Sequence, residues 1–105
     1  MILLKVGNLE GLSRDRGNCV ESAAESIAVF HVNGEWHAIE NRCPHRDIPL
    51  DDGPVIAGEI ICPLHGARFD LRTGKHQNPP AESDLKTYPV RIVGSELFVV
   101  MGKKT

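Results

Sequence analysis

The sequence predicts an all-β protein, a sandwich or small barrel of short antiparallel strands. Two observations lead there. Runs of apolar and β-branched residues recur along the chain, and Asn-Gly, Gly-Ser and Gly/Pro pairs separate them at short intervals. Helical periodicity is weak throughout.

Ser26-Ile27-Ala28-Val29-Phe30-His31-Val32 reads as a strand, Asn33-Gly34 as a two-residue turn, and Glu35-Trp36-His37-Ala38-Ile39 as the returning strand. Two such runs around Asn-Gly form a strong hairpin signal, because both turn positions need a residue that tolerates positive φ. Before them, Val20 to Ile27 reads as a loop leading into the first clear strand. Glu59-Ile60-Ile61-Cys62 and Arg68-Phe69-Asp70-Leu71 predict a second short pair. Leu85 to Val93, then Gly94-Ser95, then Glu96-Leu97-Phe98-Val99-Val100 predict a final hairpin. Pro89 has no N–H for a ladder, so it marks an edge or a bulge. Gly53-Pro54, Thr73-Gly74 and Pro79-Pro80 punctuate the remainder.

A chain of 105 residues is expected to form a single domain, residues 1–105, with a modest core. It leaves no room for a separate catalytic domain. The formal net charge is −2 and no basic stripe is visible, which argues against nucleic acid. Lys103-Lys104 is only a short pair, read as a solvated tail. No stretch approaches the ~20 apolar residues of a membrane helix. The run Ile2 to Val6 is broken by Lys5, so no secretory signal is expected and the predicted setting is cytoplasmic. Three cysteines, an odd number, fit metal ligation or free thiols better than a disulfide framework.

The chemistry concentrates in two segments, Cys43-Pro44-His45 and Cys62-Pro63-Leu64-His65, separated by the sixteen residues Arg46 to Ile61. Each places a thiol and an imidazole in one proline-containing loop behind a strand-like run. A hairpin-like intervening segment would bring the loops face to face. Two ligand readings fit. Zinc takes two cysteines and two histidines readily, but zinc fingers pair like with like at each knuckle. Mixed knuckles suit a two-iron cluster with dissimilar ends, two thiolates on one iron and two imidazoles on the other.

The spacing Cys-x-His, sixteen residues, Cys-x-x-His closely resembles the Rieske family. Asn41-Arg42-Cys43-Pro44-His45, Gly53, Gly58, Cys62-Pro63-Leu64-His65-Gly66, Arg68-Phe69-Asp70, Thr73-Gly74 and Pro79-Pro80 carry the likeness, over roughly residues 26 to 100. The resemblance implies a Rieske-type fold, an antiparallel β-sandwich with a smaller cluster-binding subdomain of two loops at roughly residues 41–80. It also implies one [2Fe–2S] cluster held by Cys43, His45, Cys62 and His65, with the imidazoles at a solvent-facing tip. Respiratory Rieske proteins add a disulfide between positions matching Ile48 and Leu64, absent here. They also donate hydroxyl hydrogen bonds to sulfur from positions matching Ala67 and Phe69, which have none to give. Donors to sulfur stabilise the reduced cluster, so the expected potential is low, around −150 mV. Gly66, lacking a Cβ, is read as letting backbone approach the cluster.

The implied job is that of a ferredoxin in a multicomponent aromatic-ring dioxygenase: a soluble, monomeric one-electron carrier between a flavin-dependent NAD(P)H reductase and a terminal Rieske oxygenase. No catalytic residue is expected. The chain shows neither a two-His-one-carboxylate iron site nor a dinucleotide fingerprint. The alternatives are the small subunit of an assimilatory nitrite reductase and a zinc-stapled binding module.

Other residues read more plainly. Cys19 is a free or partly buried thiol outside the ligand set, and His31 and His37 are expected to face each other across the hairpin. Trp36 packs, and His76 is an exposed loop residue. Pro79-Pro80 is read, from the resemblance, as a cover over one side of the cluster. Arg46, Asp47, Asp51 and Asp52 have two readings, part of a docking rim around the exposed histidines or ordinary surface charge of mixed sign.

Overall fold

The architecture comes from a computed structural model, which describes residues 2–23, 25–44, 48–63, 66–77 and 84–101. Among the described residues ten strands run in chain order: β1 (Ile2–Asn8), β2 (Asn18–Glu21), β3 (Ser26–Val32), β4 (Glu35–Glu40), β5 (Val55–Ile56), β6 (Glu59–Ile61), β7 (Arg68–Asp70), β8 (Thr87–Tyr88), β9 (Val90–Val93) and β10 (Glu96–Met101). A 3-10 turn at Leu9–Gly11 is the only helical element among the described residues. The strands form three antiparallel sheets, ordered β1-β10-β9, β2-β3-β4-β8 and β5-β6-β7. The predicted all-β class and both main hairpins hold.

Three strands lie where the sequence pattern placed none; the shortest is the two-residue β5, which pairs with β6. β1 reaches across the chain to pair with β10, Ile2 opposite Met101. β2 occupies part of the segment read as a loop and pairs along β3, Asn18 opposite Val29. The single strand read over Leu85–Val93 is two. Pro89 ends one ladder, and the chain changes sheet there: β8 pairs with β4, whereas β9 pairs with β10. Both halves lie at sheet edges, where a missing N–H costs least.

Ile27-Ala28-Val29-Phe30 is apolar at every position because β3 is buried on both faces. Ile27 and Val29, with Trp36 and Ala38 of β4, pack against Leu97, Val99 and Met101 of β10 in the sandwich core. Ala28 and Phe30, with Ile39, turn the other way and join Cys43, Leu50, Ile60, Cys62, Ala67, Phe69, Leu71 and Leu85 in a second core. The sheet holding β3 and β4 is therefore a shared wall. The sandwich lies on one side and the two cysteine-bearing loops on the other.

Candidate metal centre

The first loop leaves the end of β4. Asn41 N–H donates to Ser26 O at 2.9 Å, which holds the departing chain against β3. Two residues on, Cys43 N–H donates to Ile48 O at 2.9 Å. The second loop leaves the end of β6, where Cys62 N–H donates to Ala67 O at 2.7 Å. The two closures are the same: each cysteine amide reaches the carbonyl five residues ahead. Each cysteine is followed by a proline, Pro44 or Pro63, which has no N–H to satisfy inside the turn.

The loops meet through the segment between them. Ile61 N–H donates to Pro54 O at 3.0 Å. Gly53 passes so close to β6 that a Cβ there would sit 2.3 Å from Ile61 O. Only glycine allows this approach, directly beside Cys62. Gly66 stands at φ +73° and its N–H donates to Cys62 O at 3.0 Å. Open space surrounds its missing Cβ, so the glycine serves the backbone turn rather than a close approach.

Cys43 and Cys62 are fully buried in one apolar core, and neither is disulfide-bonded. Two thiols brought into one dry core on twin loops, without a bond between them, fit the sulfur half of a [2Fe–2S] donor set. A bound metal lets buried thiols act as thiolates that an apolar setting alone would disfavour. Ala67 and Phe69 lie in the same core, fully buried, and bring no hydroxyl to it. His45, His65, Arg46, Asp47, Leu64 and the Pro79-Pro80 segment lie outside the described residues, as does the Lys103-Lys104 tail.

Cys19 lies within β2 as a free, exposed thiol, its Sγ 3.5 Å from Ser26 Oγ, which agrees with the free-thiol reading. Other sequence readings change. His31 and His37 do not face each other. His31 lies opposite Trp36 and His37 opposite Phe30, so the two imidazoles project from opposite faces. His31 meets Trp36 edge-on at 4.7 Å, and the packing role of Trp36 stands. His76 is exposed as expected, but it bridges to Phe69 and its Nδ1 lies 2.8 Å from Asp84 Oδ1. His76 N–H also donates to Asp84 Oδ1 at 3.0 Å, and this backbone bond first, the side-chain contact second, holds the Asp84 carboxyl below its ordinary range. Asp52 is exposed, but Asp51 is half-buried and its carboxylate accepts from Asn41, so Asp51 belongs to the loop's framework rather than to a rim.

Sequence reasoning also missed a polar cluster at the sheet edge near Asn41. Tyr88 Oη donates to Glu25, and Lys86 Nζ lies 3.4 Å from the same carboxylate. The Tyr88 bond, ahead of Lys86, lowers the Glu25 pKa. Burial first, and that bond second, raise the Tyr88 phenol well above its ordinary value. No sequence signal marks this trio, because Glu25 is distant along the chain from Lys86 and Tyr88.

Residues 3–89 match the family model of the Rieske [2Fe-2S] domain, which takes in β1 and stops short of the last hairpin. The ferredoxin subunit of biphenyl dioxygenase from Pseudomonas sp. (strain KKS102) is 38% identical over 81 residues, covering 76% of this chain and 74% of that protein. The ferredoxin of carbazole 1,9a-dioxygenase from Nocardioides aromaticivorans IC177 superposes with a TM-score of 0.87 at 31% identity, over 94% of this chain and 97% of that one. A ferredoxin solved in complex with its oxygenase, again of carbazole 1,9a-dioxygenase, gives a TM-score of 0.91 at 28% identity, over 99% and 97%.

Proposed function

The chain belongs to the Rieske [2Fe-2S] domain family, and from that premise we propose that it carries single electrons from a flavin-dependent NAD(P)H reductase to a terminal Rieske oxygenase. Its cofactor is one Rieske-type [2Fe–2S] cluster, so the zinc-stapled module falls away. Relatives at this identity are oxygenase ferredoxins, electron-transfer rather than catalytic subunits, which favours this job over that of a nitrite reductase small subunit.

Cys43 and Cys62 bind one iron in this reading and His45 and His65 the other, within a subdomain at roughly residues 41–80 of a single domain. When bound, the cluster supplies a one-electron store. The protein's part is to position and insulate it. Leu50, Ile60, Phe69 and Leu71 exclude water around the thiols, and the loop closures hold the two cysteine backbones. With neither Ala67 nor Phe69 able to donate, extra negative charge on sulfur gains no hydroxyl partner from those positions, and the potential stays near the low end, about −150 mV. A monomer in the cytoplasm, meeting each partner in turn, suits a shuttle.

The observation that carries this reading is the pair of buried, unbridged cysteines on loops with identical closures. Anaerobically purified protein should contain two irons and two acid-labile sulfides per chain, absorb between roughly 400 and 600 nm, and pass reductase electrons to an oxygenase. Conversion of His45 or His65 to alanine should abolish the characteristic spectrum. Colourless protein with a single zinc, or full clusters in both histidine variants, would refute it.

A further inference from the structure

Asn41 is the one polar side chain that is buried among the described residues. Its Oδ1 accepts two backbone hydrogen bonds, from Leu50 N–H at 2.7 Å and Asp51 N–H at 2.8 Å. Its Nδ2 donates to Asp51 Oδ1 at 3.0 Å and to Ser26 Oγ at 3.3 Å, with Cys19 Sγ at 3.5 Å. Its backbone N–H is already committed to Ser26 O on β3. One carboxamide thus ties the departing end of the first loop to its returning end and anchors both to the central sheet. Between the tied ends lie Cys43 and, along the chain, His45.

We propose that Asn41 is a positioning residue for the cluster, setting the shape of the first ligand loop by stapling residue 41 to residues 50 and 51. The proposal rests on the reading of Cys43 and His45 as ligands. The chemistry of the staple demands an amide at this position while Asp51 is its partner. The two backbone N–H groups need an acceptor, and the Asp51 carboxylate needs a donor. A carboxylate at position 41 would serve the first need but set two like charges at hydrogen-bond distance. The polarity of the pair can be exchanged, however. With Asp at 41 and Asn at 51, the carboxylate accepts both backbone bonds and the amide of residue 51 donates back. Net charge is the same as in the parent protein.

The test compares holoprotein of the parent, Asn41→Asp, Asp51→Asn and the exchanged double variant. Readouts are iron and sulfide content, visible circular dichroism, reduction potential and the rate of cluster loss to a chelator. Asn41→Asp should lose its cluster about tenfold faster or more, with an altered visible dichroism spectrum and a shifted potential. Asp51→Asn should stay close to the parent, because an amide oxygen still accepts from Nδ2. The double variant should recover the parent's dichroism spectrum and potential, and release its cluster within about twofold of the parent rate. A Val99→Ala variant, truncated in the opposite core, controls for general loss of stability.

Parent-like release and spectra in Asn41→Asp would overturn the proposal. So would a double variant as impaired as Asn41→Asp, or a Val99→Ala variant of matched melting temperature that sheds its cluster equally fast. Should Asn41→Asp fail to fold, the double variant decides alone: loaded with the parent's spectrum it supports the staple, and unloaded it refutes it. Parent protein without iron and sulfide would instead strike the ligand reading itself, a different result from any of these.

Discussion

Gly53 is where a single methyl group should separate the two cysteine loops. An ideal Cβ at this position lies 2.3 Å from Ile61 O, 3.2 Å from Leu50 O and 3.3 Å from Ile60 Cδ1. Real Cβ contacts do not fall below 3.0 Å, so the backbones must part by at least 0.7 Å in the Gly53→Ala variant. Neither side yields freely. Gly53 N–H is bonded to Leu50 O at 2.9 Å, and Ile61 N–H to Pro54 O at 3.0 Å. Overpacking of this kind costs about 1–3 kcal/mol, which for a domain of this size lowers the melting temperature by about 5–20 °C. The displaced atom is the carbonyl immediately before Cys62, and a site needs its ligands held within about 0.5 Å. Iron and sulfide per chain should therefore fall together with the melting temperature of the purified protein. A Gly53→Ala protein with full iron and sulfide content and an unchanged melting temperature would show that the close approach does not set the spacing of the loops.

Two further substitutions can be checked. Ala67→Ser places a hydroxyl in the core that holds both thiols; a hydrogen bond to a charged group contributes about 1.5–3 kcal/mol, so at 59 mV per tenfold for one electron the potential should rise by up to about 60–130 mV in a redox titration, and an unchanged value would discount sulfur donors at this position. Tyr88 keeps its proton in the folded protein after the unfolded chain has released it near its ordinary value of 10.0; stability must then fall as pH rises through that value, and Tyr88→Phe should flatten the decline in urea midpoints above pH 10. At the acid end the Glu25 carboxyl, lowered chiefly by the Tyr88 bond, contributes stability that is present above 4.5 and lost as pH falls through its folded value. The same substitution should weaken that dependence too, and equal slopes in both proteins would exclude the pair.

What was legible in the sequence depended on distance along the chain. The β3–β4 hairpin announces itself because Asn33 and Gly34 supply adjacent positive φ angles, 52° and 80°, between two apolar runs. β1 has no such local sign. Its partner is the last strand, and a bulge between Lys5 and Gly7 breaks its alternation. β2 is an edge strand, and exposed Cys19 and Glu21 dilute its apolar pattern. The two hairpin histidines show how parity defeats inspection: around a two-residue turn the partners are 32 with 35, 31 with 36 and 30 with 37, so His31 and His37 are one step out of register and project from opposite faces. At the candidate site, the Cys-x-His and Cys-x-x-His spacings belong to short segments and read directly from the sequence. The Asn41 staple and the Gly53 crossing are tertiary: the first depends on a side chain reaching nine and ten residues ahead, the second on a loop passing beside another strand's carbonyl.

The continuous burial of Ile27-Ala28-Val29-Phe30 is what joins these levels. A strand exposed on one face would show alternation, and its hydrophobic residues would serve a single core. Here successive side chains serve two: Ile27 and Val29 close the sandwich, while Ala28 and Phe30 form the floor under Cys43 and Cys62. Ser26, beginning the same strand, accepts the Asn41 amide through its carbonyl and takes a further bond at its hydroxyl. The loops therefore need no rigidity of their own. Their thiols are placed relative to a wall that is fixed by packing on its far side, and each loop adds only a local closure. This division explains how the loops can present buried sulfur at a defined position: the ordering is supplied by β3 and β4, which the sandwich packs from the far side.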